Sequence, residues 1–204
     1  YLYPKGIMTM VTDYMNFINE HTGWQKRRQV VDKINHKRAS YLQYINKQAI
    51  EKGYRSEVEA ITFKDNPDAA RGKDASLVIF EECGAFNNLK ASYLATRPCV
   101  EDGGVVTGQI VLFGTGGDMQ GGTIDFESMF YNPEAYDLYA FDNIWDEGGE
   151  GSTCGFFFPS FQNKIGYMDQ DGNSLKKQAK QIEEAKREQL KKEAKDANTL
   201  DKYI

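Results

Sequence analysis

The chain has 204 residues and a mass of 23.2 kDa, with 40% hydrophobic, 27% charged and 13% aromatic residues, a balance that suits one domain with a sizeable core and excludes a disordered or fibrous chain. No apolar run approaches the roughly 18 residues of a membrane helix, and the three cysteines Cys83, Cys99 and Cys154 are an odd number with no close pairing, so a reducing compartment is expected in place of a disulfide framework. The net charge of -5 is uneven: residues 101–173 carry Lys164 as their single cation against 13 acids, which excludes this middle section as the surface that grips a phosphate backbone.

In chain order, Gly6–Glu20 reads as a short helix with Met10, Tyr14, Phe17 and Ile18 on one side. From Trp24 to Lys52, the residues Val31, Ile34, Arg38, Tyr41, Leu42, Ile45 and Ala49 recur at three- and four-residue spacing, and Gly53 stands where a helix would stop. A long amphipathic helix is expected there. Its other face is basic, with Lys26, Arg27, Arg28, Lys33, Lys37 and Lys47: a solvated surface, or alternatively a site for DNA or phosphate. Three apolar segments then read as strands: Val58–Phe63, Leu77–Phe80 and Gln109–Phe113. The second and third are continuous hydrophobic runs, the pattern of strands buried on both faces of a parallel sheet. Leu89–Ala95, between them, suits a crossover helix, so an α/β domain with a parallel central sheet is expected.

Beyond Gly114 the texture turns to glycine, acid and aromatic: Asp118, Gly121, Gly122 and Asp125, then Phe126, Phe130, Tyr131, Tyr136, Tyr139, Phe141 and Trp145. Tyr139–Trp145 and Cys154–Phe158 suit two further strands around a surface loop, Asp146–Ser152. With acids around them, the aromatics of residues 126–161 are expected to pack a core rather than to stack on bases. Ser174 is expected to cap a long polar helix reaching about Asp196, with a thin apolar stripe of Leu175, Ala179, Ile182 and Leu190. The divisions expected are 1–125 for a core domain, 126–173 for an acidic aromatic subdomain and 174–204 for a linker helix. Tyr1 in place of an initiator methionine, and a charged helical stretch running toward Ile204, lead to the expectation of a fragment.

The sharpest chemical signal is Leu77-Val78-Ile79-Phe80-Glu81-Glu82. Four apolar residues followed by two carboxylates put acids at the carboxyl end of a strand, where open α/β sheets bind ligands; this is the shape of a Walker B segment, or else a plain strand ending in two acids. Phe113-Gly114-Thr115-Gly116-Gly117 follows the next strand and sets a hydroxyl on a glycine-rich loop, a γ-phosphate sensor or an ordinary turn. Metal binding by Cys and His is not expected, since no C-x-x-C or H-x₃-H pairing exists and His21 and His36 read as surface residues. Asp169-Gln170-Asp171-Gly172-Asn173 lacks the glycine and glutamate spacing of a calcium loop and reads as a turn. Cys83 reads as a small core residue.

The order Ala70-Arg71-Gly72, Leu77 through Glu82 with Cys83-Gly84-Ala85-Phe86, and Gln109 through Gly117 resembles the ATPase region of the large terminase subunit of tailed bacteriophages. Asp142-Asn143-Ile144-Trp145-Asp146-Glu147, Cys154-Gly155-Phe156-Phe157-Phe158-Pro159 and Met168 through Asn173 extend the resemblance over residues 55–175. It implies a partial P-loop NTPase sheet of the RecA-like type with flanking helices, a small C-terminal subdomain and a long linker helix. It further implies ATP and Mg²⁺ as cofactors in the complete protein, with Glu82 as the catalytic carboxylate and Glu81 holding magnesium through water. Gly114, Thr115 and Gly116 would couple hydrolysis to DNA movement, and Arg71 would contact phosphate or a neighbouring subunit. The partners implied are double-stranded DNA, a portal protein, a small terminase subunit and other copies of the chain, in the bacterial host cytoplasm and transiently at the procapsid portal, with no membrane. Two departures stand out. The family usually has aspartate at Glu81, and no G-x-x-x-x-G-K-[S/T] occurs anywhere in the chain. The 204 residues alone are therefore expected to be inactive. The competing readings are a non-catalytic interaction module with an acidic binding surface, and a piece of another nucleic-acid-dependent P-loop ATPase such as a helicase.

Overall fold

The structure, a computed structural model, describes residues 6–24, 30–64, 66–116, 123–146, 148–164 and 166–196. Two compact units divide the chain, one ending at Ser128 and the other starting at Met129. In the first, α1 (Ile7–His21) forms where a helix is expected, but it buries Met8 and leaves Met10, Tyr14 and Phe17 exposed.

The long basic helix does not form. Residues 32–59 make an antiparallel sheet of β1 (Asp32–Lys33), β2 (His36–Ile45) and β3 (Gln48–Glu59), in that order. The reason lies at Asn46 and Lys47, whose φ angles of 51° and 66° close a two-residue loop between the paired Ile45 and Gln48. Two positive φ values make this a type I′ turn, whose twist matches that of paired strands. Tyr41, Leu42 and Ile45 then serve pleated rather than helical spacing. Gly53, read as a helix stop, sits at φ +106° opposite a register shift between Arg38 and Ser40, and a Cβ there would lie 3.0 Å from the Ala39 carbonyl oxygen. Lys26, Arg27 and Arg28 lie outside the described residues. The strand expected at Val58–Phe63 is only the end of β3. The Ala60 N–H donates a last bond to the Asn35 carbonyl at 2.8 Å, and Phe63 packs its ring 5.4 Å from that of Phe80.

Charges fasten the base of this ribbon. Arg38 donates to Glu57 at 2.6 Å and to Glu51 at 3.2 Å, and the half-buried His36 lies 2.5 Å from Glu57. The hydrogen bond from His36, then that from Arg38, holds the Glu57 carboxyl below the usual carboxylate range. The outer part of the ribbon is open: every residue from Leu42 to Ile50 is exposed.

β4 (Leu77–Phe80) and α2 (Leu89–Thr96) follow, then a small hairpin of β5 (Glu101–Asp102) and β6 (Val105–Val106), and β7 (Gln109–Leu112). β4 and β7 pair in parallel with Leu77 opposite Gln109 and Phe80 opposite Leu112, across a crossover that contains α2. The chain is thus mixed α/β with small, mostly antiparallel sheets, and among the described residues the parallel sheet has two strands. Burial on both faces, expected for β4 and β7, is not found. Phe80 is 2% exposed, whereas Leu77 and Ile79 on the opposite face are more than half exposed and Val111 is exposed with them. Two strands and one packed layer cover a single face.

α3 (Thr123–Tyr131) runs through the boundary between the units. In the second unit the expected strands shrink to two residues each, β8 (Phe141–Asp142) and β9 (Thr153–Cys154). Asn143 is the cause: its Oδ1 accepts the backbone N–H groups of Trp145 and Asp146, turning the chain away from a ladder. Nor do most of the aromatics make a core: Tyr139, Phe141, Trp145, Phe156, Phe157 and Phe158 are exposed, while Phe126, Phe130, Tyr136 and Phe161 are half-buried. α4 (Lys176–Asp196) is the expected long polar helix and buries Ala179. Ser174 does not cap it but bridges to Met168, and the Leu175 carbonyl accepts the Ala179 N–H. Lys164 and Ser160 both donate to Glu183 of α4, holding its carboxyl low. Asp169 closes a turn as expected, with its Oδ1 accepting the N–H groups of Asp171 and Asn173.

Candidate active site

The chemistry-bearing residues of the first unit meet where β4 and β7 end. Phe80 anchors that end: its ring lies 5.4 Å from Phe63 and 5.8 Å from Phe86, so the turn from Glu81 to Phe86 is pinned at both sides by aromatic packing. Glu81 is half-buried, and Glu82 is exposed in the left-handed region at φ 54°. A non-glycine residue holds that conformation only when its surroundings dictate it.

They do so through the neighbouring strand. The Phe113 N–H donates to the Phe80 carbonyl at 3.0 Å, and the Cys83 N–H donates back to the Phe113 carbonyl at 3.1 Å. Gly114 then passes so close that a Cβ on it would stand 2.6 Å from the Cys83 nitrogen and 3.2 Å from the Glu82 Cα. Only glycine permits this approach. Glu82 and Gly114 are therefore in backbone contact, and Thr115, exposed, is the next residue out; Gly116 has open space around it. Gly117, Asp118, Gly121 and Gly122 lie outside the described residues, as does Glu147.

Two further residues brace the site without a motif to announce them. Thr123, 8% exposed, donates its hydroxyl to the Gly84 carbonyl at 3.1 Å. Two residues on, Asp125 accepts the Lys90 N–H at 3.1 Å, satisfying one of the unpaired donors at the start of α2 that Asn88 leaves uncapped. The start of α3 thereby ties the turn after Glu82 to the crossover helix. The sequence signal was the Thr-x-Asp at a helix start, legible as a helix cap but not as a long-range brace.

Arg71 is not brought to the carboxylates. Its side chain is 71% exposed and donates to Asp68 at 2.7 Å. The neighbouring segment is fixed by the Cys99 thiol on the Ala70 carbonyl and the Ala75 N–H on the Cys99 carbonyl, at the amino end of β4. Two open clefts lie at that same end, one of about 500 Å³ lined by Asp74, Ser76, Cys99 and Glu101, the other of about 400 Å³ lined by Arg71, Lys73 and Leu94.

Cys83 is fully buried and donates its thiol to the Phe80 carbonyl; burial pushes that thiol up to about 12, so it is a packing residue and not a nucleophile. All three cysteines are free and buried. Among the described residues no group of three His, Cys, Asp or Glu side chains is placed to hold a metal. Magnesium bound mainly by nucleotide phosphates and water needs only one or two carboxylates, and the hard oxygens of Glu81 and Glu82 fit that smaller demand. Among the described residues no helix is long and apolar enough to cross a membrane. No family model, curated protein or solved structure matches the chain.

Proposed function

We propose that the first unit is part of the ATPase core of a terminase-type DNA-packaging motor, a P-loop sheet of which β4 and β7 are two strands. The observation that carries this reading is the in-register parallel pairing of β4 with β7, which gathers Glu81, Glu82, Gly114 and Thr115 at the carboxyl ends of adjacent strands. Glu82, exposed at the turn, is the group to orient a water and take its proton. Glu81 supplies carboxylate oxygen for hydrated magnesium, which in the complete protein would balance the charge of ATP. Thr115 offers a hydroxyl between the fixed Gly114 and Gly116, around which the space is open, so that the outer side of the loop can follow the γ-phosphate. The open apolar face of Leu77, Ile79 and Val111 supports the same reading, because parallel sheets are normally covered on both sides.

For the DNA partner, the outer ribbon is the better candidate than the acidic second unit. Lys47, Lys52 and Arg55 are exposed there, while Glu51 is engaged by Arg38, and an antiparallel two-stranded ribbon fits the major groove. Portal protein, small terminase subunit and further copies of the chain complete the assembly in the host cytoplasm.

The first test is to read the coding DNA in frame upstream of the Tyr1 codon. A hydrophobic strand leading into a glycine-rich loop with Lys and Ser or Thr is expected; a start codon with no such loop between overturns the proposal. In the extended chain, Glu82→Gln is expected to lower ATP turnover at least about 100-fold while nucleotide binding persists. The 204 residues alone should show no magnesium-dependent hydrolysis.

A further inference from the structure

Phe141, Trp145, Phe156, Phe157 and Phe158 of the second unit are on its surface, and that placement has a chemical reading of its own. Two ring pairs flank the β8–β9 hairpin, Phe141 with Phe156 at 5.5 Å and Trp145 with Phe157 at 5.4 Å, both edge-on. None of the four is sheltered: exposure runs from 39% at Trp145 to 65% at Phe156. Exposed aromatic clusters of this kind mark surfaces that another molecule covers.

The surrounding charge selects the occupant. From Pro98 through Asn163 the chain contains no Lys, Arg or His, and Asp142, Asp146 and Glu150 stand exposed on the hairpin and its loop. A purely apolar partner would strip water from these carboxylates without pairing them, and a nucleic acid or acidic protein would be repelled. A guanidinium satisfies both halves of the surface at once. Its flat face stacks on a ring while its forked N–H groups pair with a carboxylate. We propose that the β8–β9 hairpin is a docking surface for an arginine-rich protein segment. Lysine offers the charge but neither the flat face nor the fork, so the surface discriminates between the two. This inference requires no nucleotide and stands or falls apart from the ATPase reading.

The test is fluorescence anisotropy of the full 204-residue chain with labelled nona-arginine and nona-lysine peptides at low and physiological salt. Nona-arginine is expected to bind about fivefold or more tightly than nona-lysine, with both weakening as salt rises. Phe156→Ala is expected to weaken nona-arginine about tenfold and nona-lysine by no more than about threefold, because an ammonium is attracted to a ring face but cannot stack on it. Phe156→Leu, which keeps apolar bulk but no ring face, should reproduce the loss, so a packing defect is separable from lost stacking. Asp142→Asn combined with Glu150→Gln should weaken both peptides. The proposal is overturned if neither peptide binds, if the two bind equally and are indifferent to Phe156, or if the face instead joins two copies of this chain in a Phe156-dependent dimer.

Discussion

Glu82 combines a carboxylate with a backbone angle, φ 54°, that glycine would adopt freely. Holding a residue that carries a Cβ there costs about 1 kcal/mol, and the hydrogen bonds between Phe113, Phe80 and Cys83 impose it. Glu82→Gly is therefore expected to stabilise the first unit by about 0.5–1 kcal/mol in urea titration while removing the carboxylate; a loss of stability would mean that the Glu82 side chain makes contacts worth more than the strain. Cys83 makes a second residue-scale prediction. Its thiol, raised by burial to about 12, keeps its proton in the folded state while the unfolded thiol gives it up near 8.5. The stability this protonated thiol supplies is fully present below the unfolded value and is lost as pH rises toward the folded one. Cys83 should thus resist iodoacetamide at pH 8 until denaturant is added, and alkaline unfolding should begin above about pH 9. At this scale the sequence was informative about identity and silent about geometry: the two acids and Gly114 were visible as a motif, but that Gly114 is fixed by close approach to Cys83, rather than left free to flex, needed the three-dimensional register.

α1, α2, α4 and the two parallel strands were legible from their own patterns, apolar runs at Leu77–Phe80 and Ile110–Leu112 and polar repeats with a thin stripe in Lys176–Asp196, whereas α3, among glycines, acids and aromatics, was not read as a helix. The β2–β3 ribbon was not legible either, for two physical reasons. Its turn, Asn46-Lys47, has no glycine, so the strongest hairpin cue is absent. Its apolar residues also fall by coincidence at helical spacing, and β3 and the outer half of β2 have little burial to enforce alternation. The turn offers a direct check. Lys47 at φ 66° should gain from glycine, so Lys47→Gly is expected to stabilise the ribbon by about 0.5–1 kcal/mol, read as slower amide exchange near the tip. The same change removes one of the exposed cations assigned to DNA, so duplex affinity should fall slightly as stability rises. A parallel fall in both would show that the Lys47 side chain props the turn.

For the molecule as a whole, the division at Ser128 and Met129 has a spectroscopic convenience: Trp24 belongs to the first unit and Trp145 to the second. In Trp24→Phe and Trp145→Phe variants, each remaining tryptophan reports one unit. The two urea midpoints are expected to differ, because few large hydrophobic side chains are buried in the second unit; coincident midpoints would show a single cooperative fold. The parallel pair also carries a consequence for how the chain is made. The ribbon needs only two residues between its paired strands and can close within about 1–10 μs of emerging. Among the described residues β4 has no such neighbour: Phe80 must wait for Leu112, 32 residues later, which at about 5–20 residues per second separates the two described strands by roughly two to six seconds of synthesis. During that interval its apolar face is what the ribosome exit and its attendant chaperones meet, so a slow codon cluster between Phe80 and Gln109 should lower soluble yield more than the same cluster placed within the ribbon.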